Sequence, residues 1–386
     1  MAAALTVAGA LTVAAGWSVG AGSRPDPPAR VGEAAADAST TWRWSLPPGF
    51  PEPQVPADNP MSVAKVELGR RLFFDPRLSR GDAISCATCH RPELAFTDGR
   101  ARPEGVTGVL HPRSAMSLVN VAYAETLGWD DPNVTRLEDQ LLTPLFGHDP
   151  VEMGMQRDAV ALDRFRQDAD VSRLFDAAFT GPLTGLGHAS SGDPVTWDHV
   201  AQAIAAYERT LIFGDTAFDR TWHRGDEGAL TPAARRGMRL FFGNRLACGH
   251  CHGGFNLSGP TRHVGSTPRP PIFHNTGLYN LDGRYPSDNP GLARHTAQPA
   301  DDGRFKTPTL RNVTRTAPYF HDGSAATLDD VLDHYAAGGR RLEAGRYAGD
   351  GSQHPNRDPL VRGFLLTAQE RADLLAFLAA LEDSAF

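Results

Sequence analysis

The chain has 386 residues, with 38 Lys and Arg against 45 Asp and Glu, for a formal net charge of -7. That length is more than one hydrophobic core comfortably holds, so two domains are expected. The acidic balance leaves no basic footprint and argues against nucleic acid as a partner. With 39 Gly and 30 Pro, the composition points to long loops around short helices.

From the N-terminus, residues 1–22 are apolar and rich in Ala and Gly and are read as a secretory signal peptide, although the positively charged start of such a peptide is missing. A membrane anchor is the alternative, disfavoured by the short, small-residue composition, and no other segment approaches a membrane span. Residues 23–43 read as a linker.

The four cysteines fall in two C-x-x-C-H motifs, Cys86-Ala87-Thr88-Cys89-His90 and Cys248-Gly249-His250-Cys251-His252. This pattern attaches haem c: each Cys pair adds across two vinyl groups, and the His that follows ligates the iron. A zinc site or a redox C-x-x-C would leave that His unexplained. Two covalently bound haem c groups are therefore expected. Their attachment outside the cytoplasm agrees with the leader, so a periplasmic location is expected.

The surroundings of the motifs repeat. Gly69-Arg70-Arg71-Leu72-Phe73-Phe74 precedes the first, and Gly237-Met238-Arg239-Leu240-Phe241-Phe242 precedes the second. Each reads as the end of a helix, the second starting at Thr231 and Pro232. Such repetition predicts a mainly α fold of two cytochrome c-like haem domains with long loops, 44–220 and 221–386. A helix is predicted from Thr327 to the Gly338-Gly339 pair, with Leu328, Val331, Leu332 and Tyr335 on one face. On pattern alone Tyr335 is a packed core tyrosine. A last helix opens with a Thr367/Glu370 capping box and carries a stripe of Leu374, Leu375, Leu378 and Leu381.

With LFFDPRLS ahead of CATCH, LEDQLLTP (Leu137 to Pro144), PVEMG (Pro150 to Gly154) and FKTPTLRNVTRTAPYFHDGS (Phe305 to Ser324), the chain resembles the bacterial di-haem cytochrome c peroxidase and MauG superfamily from about Trp44 to its end. Residues 44–60 and 206–220 most resemble MbnH-type enzymes, MauG relatives that oxidise a tryptophan of a partner protein to kynurenine. The resemblance implies that the haem held by His90 is the open, peroxidatic one, and the haem held by His252 the electron-transfer one. It places the distal ligand of the second haem at Tyr335, seventeen residues after Pro318, where peroxidases carry Met. A thioether raises a haem potential, whereas a phenolate is a hard donor that favours high-valent iron.

The resemblance also implies a distal pocket of Gln140, Pro144 and Glu152, with Glu152 as the carboxylate that moves a proton between the peroxide oxygens. Here the chain has two residues more than the common spacing between Pro144 and Glu152, and His148 in that insertion is the weaker candidate. A helix-start carboxylate is the structural alternative for Glu152. Where classical peroxidases place a switching His, this chain has Val106; the nearby His111 becomes a switching ligand after a loop shift or is a surface-loop histidine, and the second reading is preferred. Trp129 matches a tryptophan between the haems that relays electrons. A calcium ion fits the family pattern at Ser114 and the carbonyls of Thr316 and Pro318, with Ser114 standing where the family has Asn. MauG types can carry a surface Trp two residues before the second motif; Leu246 occupies that place, so an exit route for the oxidising power must differ.

Two enzymatic readings follow. In one, hydrogen peroxide forms a high-valent di-haem state that oxidises a side chain of a secreted protein, such as an MbnP-like copper-binding protein, with tryptophan converted to kynurenine. In the other, a cytochrome c peroxidase reduces peroxide to water with electrons from a small redox protein. A pure electron carrier is a third reading, disfavoured because it needs no acid–base pocket.

Overall fold

A computed structural model describes residues 42–180 and 192–386. The predicted signal peptide and nearly all of the predicted linker lie outside the described residues. The fold is mainly α. Its longer helices are α1 (Val63–Phe73), α2 (Ala169–Phe179), α3 (Trp197–Arg209), α4 (Ala217–Arg224), α5 (Pro232–Phe242), α6 (Leu328–Ala337) and α7 (Ala368–Ala379). The strands among the described residues are two short antiparallel pairs, Phe273–His274 with Phe305–Lys306 and Arg341–Leu342 with Gly349–Asp350. No described helix is long and apolar enough to cross a membrane.

Local chemistry sets where these helices begin. Ser62, Asp168, Thr196, Thr216, Thr231, Thr327 and Thr367 each accept a hydrogen bond from a first-turn N–H. One such cap stabilises a helix by about 1 kcal/mol. The predicted starts at Thr231, Thr327 and Thr367 are all found. Residues 150–156 form no helix, so Glu152 is not a helix-start carboxylate.

The repeat seen in the sequence is a repeat in packing. Helix α1 lies along α3 and α5 lies along α7. Both pairs cross at a glycine. A Cβ on Gly69 would sit 1.9 Å from the carbonyl oxygen of Ala203, and one on Gly237 would sit 1.9 Å from that of Asp373. The next neighbours are Tyr207 Cβ and Phe377 Cβ, in matching places. Around the first pair Leu68, Leu72, Phe73, Phe96, Ile204 and Tyr207 form one core; around the second, Phe218, Phe241, Leu374, Phe377 and Leu381 form another. Phe213 belongs to the first core and Phe218 to the second. A smaller cluster of Leu278, Tyr279, Tyr285 and Phe305 receives Trp129 from the first half.

A buried ion pair ties α4 to the second half: Arg311 donates to both carboxylate oxygens of Asp219 at 2.7 Å, and Asp219 also accepts from the Thr216 hydroxyl. In the first half Arg209 donates to both oxygens of Glu138.

The crossing geometry makes a prediction. Gly237→Ala forces α5 and α7 apart and is expected to destabilise the fold by about 1–3 kcal/mol, the usual cost of overpacking. Gly192→Ala, where an added Cβ meets nothing within 4 Å among the described residues, is expected to be close to neutral. Chemical denaturation of the two variants checks the order.

Candidate active site

A cavity of about 700 Å³ runs between the two halves and is bounded by both C-x-x-C-H motifs. Cys86, Cys89, His90, Cys248, Cys251 and His252 all line it, and none of the cysteines is in a disulfide. The two motif histidines are held alike. His90 Nδ1 lies 2.9 Å from the carbonyl of Phe96, and His252 Nδ1 lies 3.3 Å from that of Leu257. Donation from Nδ1 to a carbonyl leaves Nε2 as the free ligand atom and fixes the ring plane. Burial lowers the pKa of both imidazoles, that of His252 to about 4, so they are neutral. Burial also pushes the thiols of Cys248 and Cys251 up to about 11, which keeps them protonated. Among the described residues no group of three or more His, Cys, Asp or Glu is placed to hold a metal ion. A large cavity with a free imidazole nitrogen and a thiol pair at each end fits a haem at both motifs.

Beyond the first motif, Gln140, Pro144 and Glu152 border the cavity together. His148 is exposed and is not part of the wall. Burial alone raises the Glu152 carboxyl to about 7. Val106 does not line the cavity either; its N–H donates to the Glu152 carbonyl at 2.8 Å and so anchors the segment that carries the acid. His111 is a correction. It is not a surface-loop histidine: it lines the cavity, with Nε2 3.5 Å from Glu152 Oε1. The Arg113 N–H lies 3.2 Å from His111 Nδ1. The Arg113 carbonyl is also 3.2 Å from Nδ1: with the ring proton on Nδ1 it donates there and Nε2 accepts from a protonated Glu152, and with the proton on Nε2 the ring donates to the carboxylate. Burial lowers the His111 pKa, which keeps the ring neutral.

At the second motif, Leu328, Val331, Leu332 and Tyr335 of α6 all face the cavity, as their spacing predicts. The Tyr335 hydroxyl makes no hydrogen bond among the described residues, and the residue lines the cavity. Burial, then the nearby Cys251 and Cys248, push its phenol well above the ordinary value.

Between the two ends sits Trp129, also on the cavity wall. Its Nε1 donates to the Ser114 carbonyl at 2.9 Å, and its own carbonyl accepts from the Lys306 N–H at 2.8 Å. Lys306 Nζ donates to the Thr126 carbonyl at 2.6 Å, and burial lowers its pKa to about 8. Ser114 Oγ donates to the Phe320 carbonyl and its N–H to the His321 carbonyl. Ser114, Thr316 and Pro318 border the same cavity, and neither the Thr316 nor the Pro318 carbonyl accepts a hydrogen bond among the described residues. Leu246 is buried in the wall. Sequence reasoning missed Lys306 and His321, the latter buried and stacked on Phe305 at 3.6 Å. Both lie inside the Phe305–Ser324 stretch, but only the fold shows that it faces Trp129.

Comparison with known proteins gives the family. The family description "Di-haem cytochrome c peroxidase" matches residues 63–228. The methylamine utilization protein MauG of Methylorubrum extorquens is 35% identical over 356 residues, covering 90% of this chain and 88% of the relative. The chain belongs to the di-haem cytochrome c peroxidase/MauG family. It is a haem-dependent oxidoreductase that uses peroxide. The cytochrome-c peroxidase IdrP1 of Denitromonas iodatirespirans is 34% identical over 90% of this chain and 88% of its own length. A crystal structure of a MauG-like protein associated with microbial copper homeostasis superposes with a TM-score of 0.84 at 44% identity, covering 89% of this chain and 96% of that one.

The carboxyl at Glu152 makes a prediction. Burial raises its pKa, so the base form grows as pH rises through about 7, and the rate of reaction with peroxide is expected to climb with it. Glu152→Gln is expected to slow that reaction by about 10²-fold or more and to flatten the profile. Stopped-flow absorbance across pH measures both.

Proposed function

We propose that this enzyme uses hydrogen peroxide to oxidise a side chain of a secreted partner protein, with tryptophan converted to kynurenine, as in the MbnH-type enzymes it resembles. The observation that carries this reading is Tyr335. Its unpartnered hydroxyl opens on the cavity beside Cys248 and Cys251, at the place where the resemblance gives peroxidases a Met. The 44% identical relative is associated with copper homeostasis, which points to a small secreted copper-binding protein as the partner.

Haem, when bound at both motifs, supplies the iron that activates peroxide and holds the oxidising equivalents. In this reading Cys86 and Cys89 hold one haem c by thioether links with His90 as ligand; Cys248 and Cys251 hold the other, with His252 and Tyr335 as ligands. The two halves are then the haem domains 44–220 and 221–386. Glu152 takes the proton from one peroxide oxygen and returns it to the other. His111 orients that carboxyl through Nε2, and Gln140 and Pro144 shape the space around it. Trp129, fixed by its bond to Ser114, relays electrons between the two ends. Calcium belongs to the same proposal, held by Ser114 Oγ and the free carbonyls of Thr316 and Pro318. The proposed location is the periplasm, where haem c is attached.

The 34% identity to a cytochrome-c peroxidase favours a second reading, reduction of peroxide with a small electron donor. Tyr335→Met separates the two. A phenolate-to-thioether exchange is expected to raise the reduction potential of the haem at His252, measured by spectroelectrochemistry, and to speed peroxide reduction by a reduced small cytochrome. If the unaltered enzyme already turns over rapidly with that cytochrome, and Tyr335→Met changes neither quantity, the second reading takes the place of the first.

A further inference from the structure

Leu246 is buried where MauG types can expose a tryptophan, so electrons from a partner must enter elsewhere. Among the described residues, the aromatic side chains with strongly exposed rings are Trp222, at 66%, and Phe242, at 39%. They are not scattered. Trp222 stacks on Phe218 with centroids 6.0 Å apart and planes 18° from parallel, and Phe218 stacks on Phe242 at 6.2 Å and 25°. Phe242 lies directly on the second motif: a Cβ on Gly249 would come within 2.6 Å of its ring. Its neighbour Phe241 is 5.0 Å from it and 6.5 Å from the ring of His252. A continuous run of aromatic contacts thus joins the second haem motif to the surface.

The first half has the same start but no such end. Phe73 and Phe74 occupy the places of Phe241 and Phe242, and their ring contacts lead to Tyr207 and Phe96, both fully buried. Duplication therefore does not explain Trp222, and neither does packing, since an indole that stabilises a core is not left mostly in water. Phenyl rings are much harder to oxidise than indole. In this stack the phenylalanines serve as contact bridges, and Trp222 is the oxidisable group at its outer end.

We propose that Trp222 is the surface relay through which an aromatic side chain of a docked partner protein, an indole or a phenol, gives up its electrons. The inference rests on the partner-oxidising reading above. Each peroxide takes up two electrons and two protons and leaves as two waters. Trp222 passes the electrons inward one at a time and is refilled each time by the partner's aromatic ring, which also loses its protons to solvent. Without a partner Trp222 is not refilled. It then loses two electrons, gains an oxygen atom from water with release of two protons, and becomes a hydroxytryptophan.

The test treats the holoenzyme with peroxide alone and maps the added oxygen by peptide mass spectrometry. The mark is expected on Trp222 and not on Trp42 or Trp44. Phe218→Leu keeps Trp222 at the surface but breaks the ring stack, and is expected to lower the mark severalfold, with the haem spectrum reporting that the variant is folded. A Trp222 mark at full level in Phe218→Leu, or a mark on other tryptophans with Trp222 clean, overturns the relay. If no tryptophan is marked while peroxide is still reduced by a small donor, the partner-oxidising reading fails instead.

Discussion

Two glycines set the distance at which this protein is built. Gly69 and Gly237 let one helix of each pair lie against the backbone of the other, with no room for a methyl group. At that separation Phe73 at the end of α1 and Phe241 near the end of α5 reach into their cores, and the motif that follows each is delivered to the cavity wall. A wider crossing would shift the C-x-x-C-H turns relative to the helices they pack on. The ligand nitrogens depend on that placement, because Nδ1 of each motif histidine must find one particular carbonyl.

A second constraint lies between the halves. The seam is made of polar groups that satisfy one another across long sequence separations: Ser114 with Phe320 and His321, Trp129 with Ser114 and Lys306, Lys306 with Thr126. Arg113 adds a short ion pair with Asp130 and a bond to Asn289. Left unpaired, buried groups of this kind would each be costly. Paired, they hold the two halves in one register and keep Trp129 at the wall they share. The cavity they border is lined by both motifs.

The halves are alike in frame and different in chemistry. One end of the cavity has a carboxyl raised by burial and a neutral histidine beside it; the other has a tyrosine with a free hydroxyl. Only the second end continues outward through stacked rings to an exposed indole. An acid–base end and an end that communicates with the surface suit an enzyme whose peroxide chemistry and electron supply happen at different places.

Much of this was legible in the sequence because the signals are local. Cap residues define helix starts within three positions, so Thr231, Thr327 and Thr367 could be read directly, and 3.6-residue periodicity placed Leu328, Val331, Leu332 and Tyr335 on one face. The two C-x-x-C-H motifs carry their chemistry in five consecutive residues. For His111 the sequence offered a place near the first motif but not its neighbour; Glu152 is brought beside it where the Val106 N–H binds the Glu152 carbonyl. Lys306, His321 and the Trp222 stack were out of reach for the same reason. Sequence alone determined the helix starts at Thr231, Thr327 and Thr367 and the two motifs, which depend on neighbours in the chain. Tertiary structure alone decided which side chains face one another across the cavity, because burial and contact between distant segments exist only once the two helix pairs have packed.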